Sequence, residues 1–267
     1  MNSQQQVIVI TGAASGIGKL LALKFDASGD TVFALDIDES GLGRLRDESG
    51  GRIHGLSCDL SSKTSISEAF RQVFSRCDHV DVLVNNAGIV HGVFFQDQSQ
   101  AQIEQTFAIN AISHFYTIQE VLPSMTKRNQ GHIVTVASAG GFIGAPQLSA
   151  YSSSKFAAVG TLESLRGELR AAGVNIKTTL VAPFFIRTGM FDGVRTRFPF
   201  LLPILKPEYV AERIFKAIVR KRARVIMPWF VYTVFPMRLL PPAWFDVIAD
   251  FFGINSVMTH FTGRKKD

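Results

Sequence analysis

The chain has 267 residues, 46% apolar and 19% charged, which is the length and apolar content of one α/β domain with a sizeable core and excludes a disordered chain. Its 22 glycines show no three-residue period, which excludes a collagen-like fibre, and its two cysteines, Cys58 and Cys77, are too few for a disulfide scaffold or a zinc cluster and read as free thiols of a reducing compartment. The net charge of +6 is uneven, with 14 basic against 16 acidic side chains over residues 1–186 and 14 against 6 over residues 187–267.

The opening MNSQQQ lacks a charged segment followed by an apolar stretch and a cleavage site, so no secretory signal is expected, nor an anchor ahead of Val7. Seven β-rich runs then alternate with helical patterns. Strands are expected at Val7–Thr11, Thr31–Asp36, Arg52–Leu56, Val82–Asn85, His132–Ala137, Asn175–Val181 and Arg224–Met227. Helices are expected at Gly16–Ala27, Ser40–Asp47, Lys63–Arg76, Ala101–Lys127, Ala150–Ala171 and Pro207–Arg222. Several strands are apolar without alternation, as strands buried on both faces are. Such alternation implies right-handed crossovers and a doubly wound parallel sheet with helices on both faces, a single Rossmann-type domain over residues 1–267. Within it, residues 184–222 are expected to cover the substrate, and residues 228–267 form a basic, aromatic, poorly periodic tail. The longest uncharged apolar run, Val225–Met237, is broken by Pro228 and Pro236 and falls short of the roughly 20 residues of a spanning helix.

In a doubly wound sheet the ligand lies at the carboxyl ends of the strands. After the first strand comes Thr11-Gly12-Ala13-Ala14-Ser15-Gly16-Ile17-Gly18, a loop that opens a helix. Its glycines let the backbone approach a pyrophosphate, whose charge meets the free N–H groups and positive dipole of the helix start. Asp36 ends the second strand, where a carboxylate can accept hydrogen bonds from both hydroxyls of an adenine ribose. A 2′-phosphate there would be repelled by Asp36 and would want a nearby cation, and neither Ser15 nor Ile37 is basic. NAD is therefore expected over NADP. Asp59, followed by Leu60, comes after the third strand and is either a partner for the adenine amino group or the cap of the next helix. Asn85-Asn86-Ala87-Gly88 ends the fourth strand, where Asn86, Ala87 and Gly88 would let the backbone pass close to the ribose.

Tyr151 and Lys155 are four residues apart in a helical pattern and share one face. Ser138 follows the fifth strand, and Asn110 lies in the long crossover helix before it. Moving a hydride off an alcohol carbon needs a group that takes the hydroxyl proton. A free tyrosine, with a pKa of about 10, is a poor base near neutrality. An ammonium beside it and a positive nicotinamide favour the tyrosinate and lower that pKa. Lys155 would also hold the nicotinamide ribose, Ser138 would bond the substrate oxygen, and Asn110 would hold a water linking Lys155 to solvent.

With Thr11–Gly18, Asp59, Asn85–Gly88, Asn110, Ser138 and the Tyr151/Lys155 pair in this order, the chain resembles the short-chain dehydrogenases/reductases from residue 7 to about 227. The resemblance implies a seven-stranded sheet, an Asn-Ser-Tyr-Lys tetrad, and dimers or tetramers built on the two long helices. It also implies that Pro183, Ile186 and Thr188 reach the nicotinamide amide. The family's usual Pro-Gly is here Pro183-Phe184, which reshapes the pocket at that point.

The segment after the sixth strand is strongly apolar, Phe184-Phe185-Ile186-Arg187-Thr188-Gly189-Met190-Phe191, then Phe198-Pro199-Phe200-Leu201-Leu202-Pro203. It suits a lipophilic substrate, or else it closes the core or a subunit interface. The runs Thr188–Phe191, Leu202-Pro203 and Phe261-Thr262-Gly263-Arg264-Lys265-Lys266 are similar to the retinol dehydrogenase and lipid-droplet 17β-hydroxysteroid dehydrogenase branch. Lys221-Arg222-Ala223-Arg224 ahead of Trp229, Phe230, Tyr232, Phe235, Trp244, Phe245, Phe251 and Phe252 suits an anionic membrane surface, or these aromatics pack on the sheet or across a dimer. A cytoplasmic protein, peripheral on a lipid surface where the tail meets one, is expected. Nucleic acid is not an expected partner, and the histidines have no metal-ligand spacing. An NADPH-dependent carbonyl reductase and a catalytically weak lipid-surface scaffold are the competing readings.

Overall fold

The computed structural model describes residues 5–263, so Arg264, Lys265 and Lys266 of the tail lie outside the described residues. Seven parallel strands form one sheet: β1 (Val7–Thr11), β2 (Thr31–Asp36), β3 (His54–Ser57), β4 (Val82–Asn85), β5 (Gly131–Val136), β6 (Ile176–Pro183) and β7 (Arg224–Met227). Their spatial order is β3-β2-β1-β4-β5-β6-β7. The helices are α1 (Gly16–Ala27), α2 (Glu39–Glu48), α3 (Lys63–Phe74), α4 (Gln100–Phe107), α5 (Ser113–Arg128), α6 (Ser149–Ala171), α7 (Pro207–Val219), α8 (Val234–Met237) and α9 (Pro242–Phe251).

The central strands hide both faces, so each apolar run supplies two cores. Val9, Phe33, Leu83 and Ile133 face a core shared with α3, α5 and α6. Ile8, Ile10, Val32, Val84 and Val134 face the other, shared with α1, α2 and α7. Register puts Ile10 beside Ala34 and Val84, so β1 is the centre from which the chain winds outward in both directions. The crevice between the ends of β1 and β4 is the topological switch point, where a ligand is expected.

Four differences from the sequence pattern matter for function. The expected helix 101–127 is broken by a π-helical turn at Ala108–Ile112 between α4 and α5. The expected strand 52–56 begins at His54, because its pairing with β2 runs from Phe33↔His54 to Asp36↔Ser57. Of residues 184–222, only the stretch before α7 borders the cavity. Helix α7 packs on α1, tied by the Lys24–Glu212 ion pair (2.6 Å) and burying Val210, Ile214 and Ile218. The tail is helical in pieces: Val231 and Val234 join the core, while Trp229, Tyr232, Trp244, Val247 and Phe251 are exposed.

Candidate active site

The glycine loop is pressed onto the turn that follows β4. A Cβ at Gly12, whose φ is +66°, would stand 2.8 Å from the Ala87 Cα, and one at Gly18 would overlap the Gly12 carbonyl. Asn86 fastens the two loops: its Nδ2 donates to the carbonyls of Thr11 (3.0 Å) and Gly12 (3.2 Å). The Thr11 hydroxyl accepts from the N–H groups of Asn86 (3.0 Å) and Ala87 (3.2 Å). Helix α1 starts at Gly16, and Ser15, Gly16 and Ile17, at the positive end of its dipole, line the cavity.

At the end of β2, Asp36 is held by two backbone donors, Ala14 N–H on Oδ2 (2.9 Å) and Asp38 N–H on Oδ1 (3.1 Å). Lys19, on α1, is paired with Glu48 at 2.5 Å. Asp59 is not the cap of the next helix. Ser62 fills that position, accepting from Ser65 N–H, while Asp59 Oδ1 accepts from the Ser61 N–H (2.9 Å) and hydroxyl (2.7 Å). Of the two readings of Asp59, the helix cap is thereby removed.

Tyr151 and Lys155 both project from α6 into the same cavity, and both are almost fully buried. Lys155 Nζ donates to the Val136 carbonyl (3.0 Å) and stands 5.9 Å from the centroid of the Tyr151 ring. Tyr151 is hydrogen-bonded to Ser138, whose Oγ accepts from Gly140 N–H (3.0 Å). Burial pushes the Tyr151 phenol up to about 12, and the bond to Ser138 offsets this only in part. Burial also brings the Lys155 ammonium down to about 8. The expected lowering of the tyrosine pKa joins the lysine to a positive nicotinamide; among the protein's own groups the larger effect on Tyr151 is desolvation, which raises it.

Asn110 lies in the π turn and is wholly buried. Its Oδ1 accepts from Ile89 N–H (2.8 Å), and its Nδ2 donates to the Ile89 carbonyl (2.9 Å) and to Ser154 Oγ (3.1 Å). The side chain is thus spent on fixing the segment after β4 against α6. A Cβ at Gly88 would lie 3.2 Å from Lys155 Nζ and 3.4 Å from Asn110 Oδ1, so glycine there lets backbone, amide and ammonium converge.

Together these groups line one cavity of about 410 Å³ that runs from Asp36 past the glycine loop to Phe191. It gathers Gly12, Ser15, Gly16, Ile17, Asp36, Asp59, Leu60, Asn86, Ala87, Gly88, Ser138, Tyr151, Lys155, Pro183, Ile186 and Thr188. Gly18 and Asn110 stand behind this wall rather than in it. Cys58, Ile89, Gln105, Ile109, Val136 and Ala137 also line it, and no motif in the sequence marks them. Gln105 and Ile109 sit four apart, ahead of Asn110, a helical spacing that was available as a signal. The Cys58 thiol is pushed up to about 11 by burial, which disfavours the thiolate. Among the cavity's lining residues Lys155 is the one cation and Asp36 and Asp59 are the anions.

At the Ser138/Tyr151 end a smaller cavity of about 40 Å³ opens, walled by Phe184, Phe185, Phe191, Leu148, Ile254 and Val257. Of the basic run 221–224, Arg224 enters β7 and its guanidinium lies 5.8 Å from the ring centroid of Phe235, which in turn touches the exposed Tyr232. A second cation, Arg197, lies 5.6 Å from the ring centroids of both Phe198 and Phe251. Among the described residues no helix is long and apolar enough to cross a membrane, and no group of three potential ligands for a metal ion occurs.

Comparison with known proteins agrees with this geometry. A family model described as short chain dehydrogenase matches residues 6–197. Epidermal retinol dehydrogenase 2 of Mus musculus is 39% identical over 271 residues, covering 99% of this chain and 88% of that protein. Estradiol 17-beta-dehydrogenase 11 of Homo sapiens is 36% identical over 248 residues, covering 91% and 82% respectively. A short chain dehydrogenase/reductase from Burkholderia phymatum, solved in complex with NAD, superposes with a TM-score of 0.80 at 27% identity, covering 90% of this chain and 95% of that one. A further similar structure holds NADP.

Proposed function

The chain belongs to the short-chain dehydrogenase family, and on that premise we propose that it oxidises an alcohol on a lipophilic molecule, a retinoid, a steroid or a similar lipid, using NAD. The observation that carries this reading is a junction. Ser138, Tyr151 and Lys155 meet where a long polar-edged cavity gives way to a small apolar one. In that small cavity the polar side chains are those of Ser138 and Tyr151 alone. A charged substrate would find no counter-charge there, whereas hydrocarbon loses nothing.

The residues present fit a nicotinamide dinucleotide. Gly12, Ser15, Gly16 and Ile17 would take the pyrophosphate, with Gly18 behind them letting α1 start close against Gly12, Asp36 would take the adenine ribose, and Asp59 and Leu60 the adenine. Asn86, Ala87 and Gly88 would pass the ribose, and Pro183, Ile186 and Thr188 the amide. When bound, the group supplies the acceptor for the hydride. Asp36, pinned by two N–H groups with no lining cation beside it, favours a free 2′-hydroxyl over a phosphate and supports NAD. Tyr151 takes the hydroxyl proton of the substrate, and Ser138 bonds its oxygen. Lys155 holds positive charge one turn away, which favours the phenolate once the positively charged ring adds to it. Asn110 is a positioning residue that carries Ile89 and Ser154, and so the floor beneath Lys155.

The relatives' names support the substrate class. A homo-oligomer on α5 and α6 is supported by Ile112 and Phe115, apolar and exposed at that helix. Peripheral contact with a lipid surface is supported by the tail: Trp244, Val247 and Phe251 form an exposed stripe on α9, joined through ring contacts to Phe198 and Phe200 and flanked by Arg197.

A turnover screen over retinoids, steroids and long-chain alcohols with NAD tests the reading. Activity on at least one, reduced by about 100-fold or more in Tyr151→Phe while NAD still binds, is expected. Undiminished turnover in that variant would remove Tyr151 from its role as the base.

A further inference from the structure

The aromatic ring that touches Tyr151 is packed both by its own segment and by the end of the tail. Phe191 meets Tyr151 edge-on at 5.5 Å and Phe185 at 4.9 Å, and behind it, at 6.4 Å, stands Phe261 from the end of the tail. Two glycines make room for that last ring and its backbone. A Cβ at Gly92, in the loop after β4, would overlap the Phe261 ring, and one at Gly193 would overlap the His260 carbonyl. The tail is then stitched to the loop that carries Phe191. Thr262 N–H donates to the Asp192 carbonyl (2.9 Å), and Arg195 N–H donates to that of Val257 (3.3 Å). Val257 and Met258 are buried in the same small cluster as Tyr151.

We infer that Phe261 is a specificity-determining residue. Wedged between Gly92 and Phe191, it fixes Phe191 against Tyr151 and keeps the side cavity narrow, so that the site takes the slender end of an unbranched or polyene hydrocarbon and turns away a fused ring system. At about 40 Å³ the side cavity is about a tenth of the main one, and Phe191 walls both, so its position sets how bulky a group the inner end admits. Phe261 touches no reacting atom; it acts through Phe191, as a core side chain fixes its neighbour's rotamer. The inference rests on the reading of this site as one for a lipophilic alcohol.

The test compares 1-dodecanol with a tetracyclic steroid alcohol, in the full chain with NAD, by kcat/KM and by calorimetric binding. The variants are Phe261→Ala, Phe261→Leu and Gly92→Ala, the last of which displaces the ring without removing it. All three are expected to move the steroid-to-dodecanol ratio at least fivefold toward the steroid, with NAD affinity within twofold of the parent. Leucine is expected to give the smaller change and covers the case in which the alanine variant does not fold. An unchanged ratio in folded, NAD-binding Gly92→Ala and Phe261→Leu, with the parent active, overturns the inference alone. A parent that neither binds nor oxidises either alcohol overturns the lipophilic reading and the inference with it.

Discussion

At the scale of single residues, burial decides the chemistry. Lys155 is depressed to about 8 because its ammonium is desolvated, so between that value and its ordinary pKa the unfolded chain binds a proton that the folded chain does not. Stability contributed by this site therefore rises with pH over that window, and the full penalty is felt below it. Replacing Lys155 by Met is expected to abolish activity yet raise the melting temperature at pH 7, against a penalty of roughly 3 kcal/mol from the shift. The gain should shrink toward pH 10, and thermal melts across pH check it; an equal gain at both ends would contradict the desolvation account. Asp36 is argued at the same scale. Asp36→Ala with Ile37→Arg removes a repulsive carboxylate and adds a fork for a phosphate, and should move the NADP-to-NAD ratio of kcat/KM by tenfold or more, each tenfold being about 1.4 kcal/mol.

At the scale of elements, the cofactor cradle is an assembly of two loops with no slack between them. A methyl at Gly18 would meet the Gly12 carbonyl and stand 2.7 Å from Asn86 Nδ2, so the first turn of α1 would have to back away from β1. Gly18→Ala is expected to lose NAD binding by at least tenfold and to destabilise the fold by about 1–3 kcal/mol, the range for overpacking. Fluorescence titration and denaturant melts measure both. The π turn is the second element that matters. It lets Asn110 turn inward to serve Ile89 and Ser154 while α4 and α5 keep their own packing faces. Apolar periodicity runs through this stretch as though it were one helix, because a single widened turn leaves the pattern on each side intact. Through it Asn110 pairs with both the N–H and the carbonyl of Ile89, a contact across 21 residues that no local sequence pattern reports.

At the scale of the whole molecule, the tail brings its exposed face and the substrate end of the cavity together. The stripe Trp244, Val247, Phe251 lies a few residues ahead of Ile254 and Val257, which wall the side cavity, so a lipid surface met by one would stand close to the mouth of the other. Co-sedimentation with vesicles of phosphatidylcholine and phosphatidylserine measures this. The triple variant Trp244→Ser, Val247→Ser, Phe251→Ser should lower bound protein at least fivefold while leaving turnover of a short water-soluble alcohol within twofold. Equal binding by parent and variant would assign the stripe to another contact.

The sequence by itself determined the winding of the sheet and the place of the cofactor cradle. Short unbroken apolar runs rich in β-branched residues and bounded by turns fit strands buried on both faces, and a glycine loop between a strand and a helix with Asp36 at the next strand's end follows from local chemistry alone. The one-turn spacing of Tyr151 and Lys155 is likewise a property of the helix. Tertiary structure decided what depends on distance through space: that burial raises Tyr151 among the protein's own groups, that Ser62 rather than Asp59 caps α3, that Arg197 stands over Phe198 and Phe251, and that Phe261 reaches back to Gly92. Desolvation and contact depend on which atoms surround a group, and residues at positions 92, 191 and 261 become neighbours only once the sheet has wound and the tail has folded back over it.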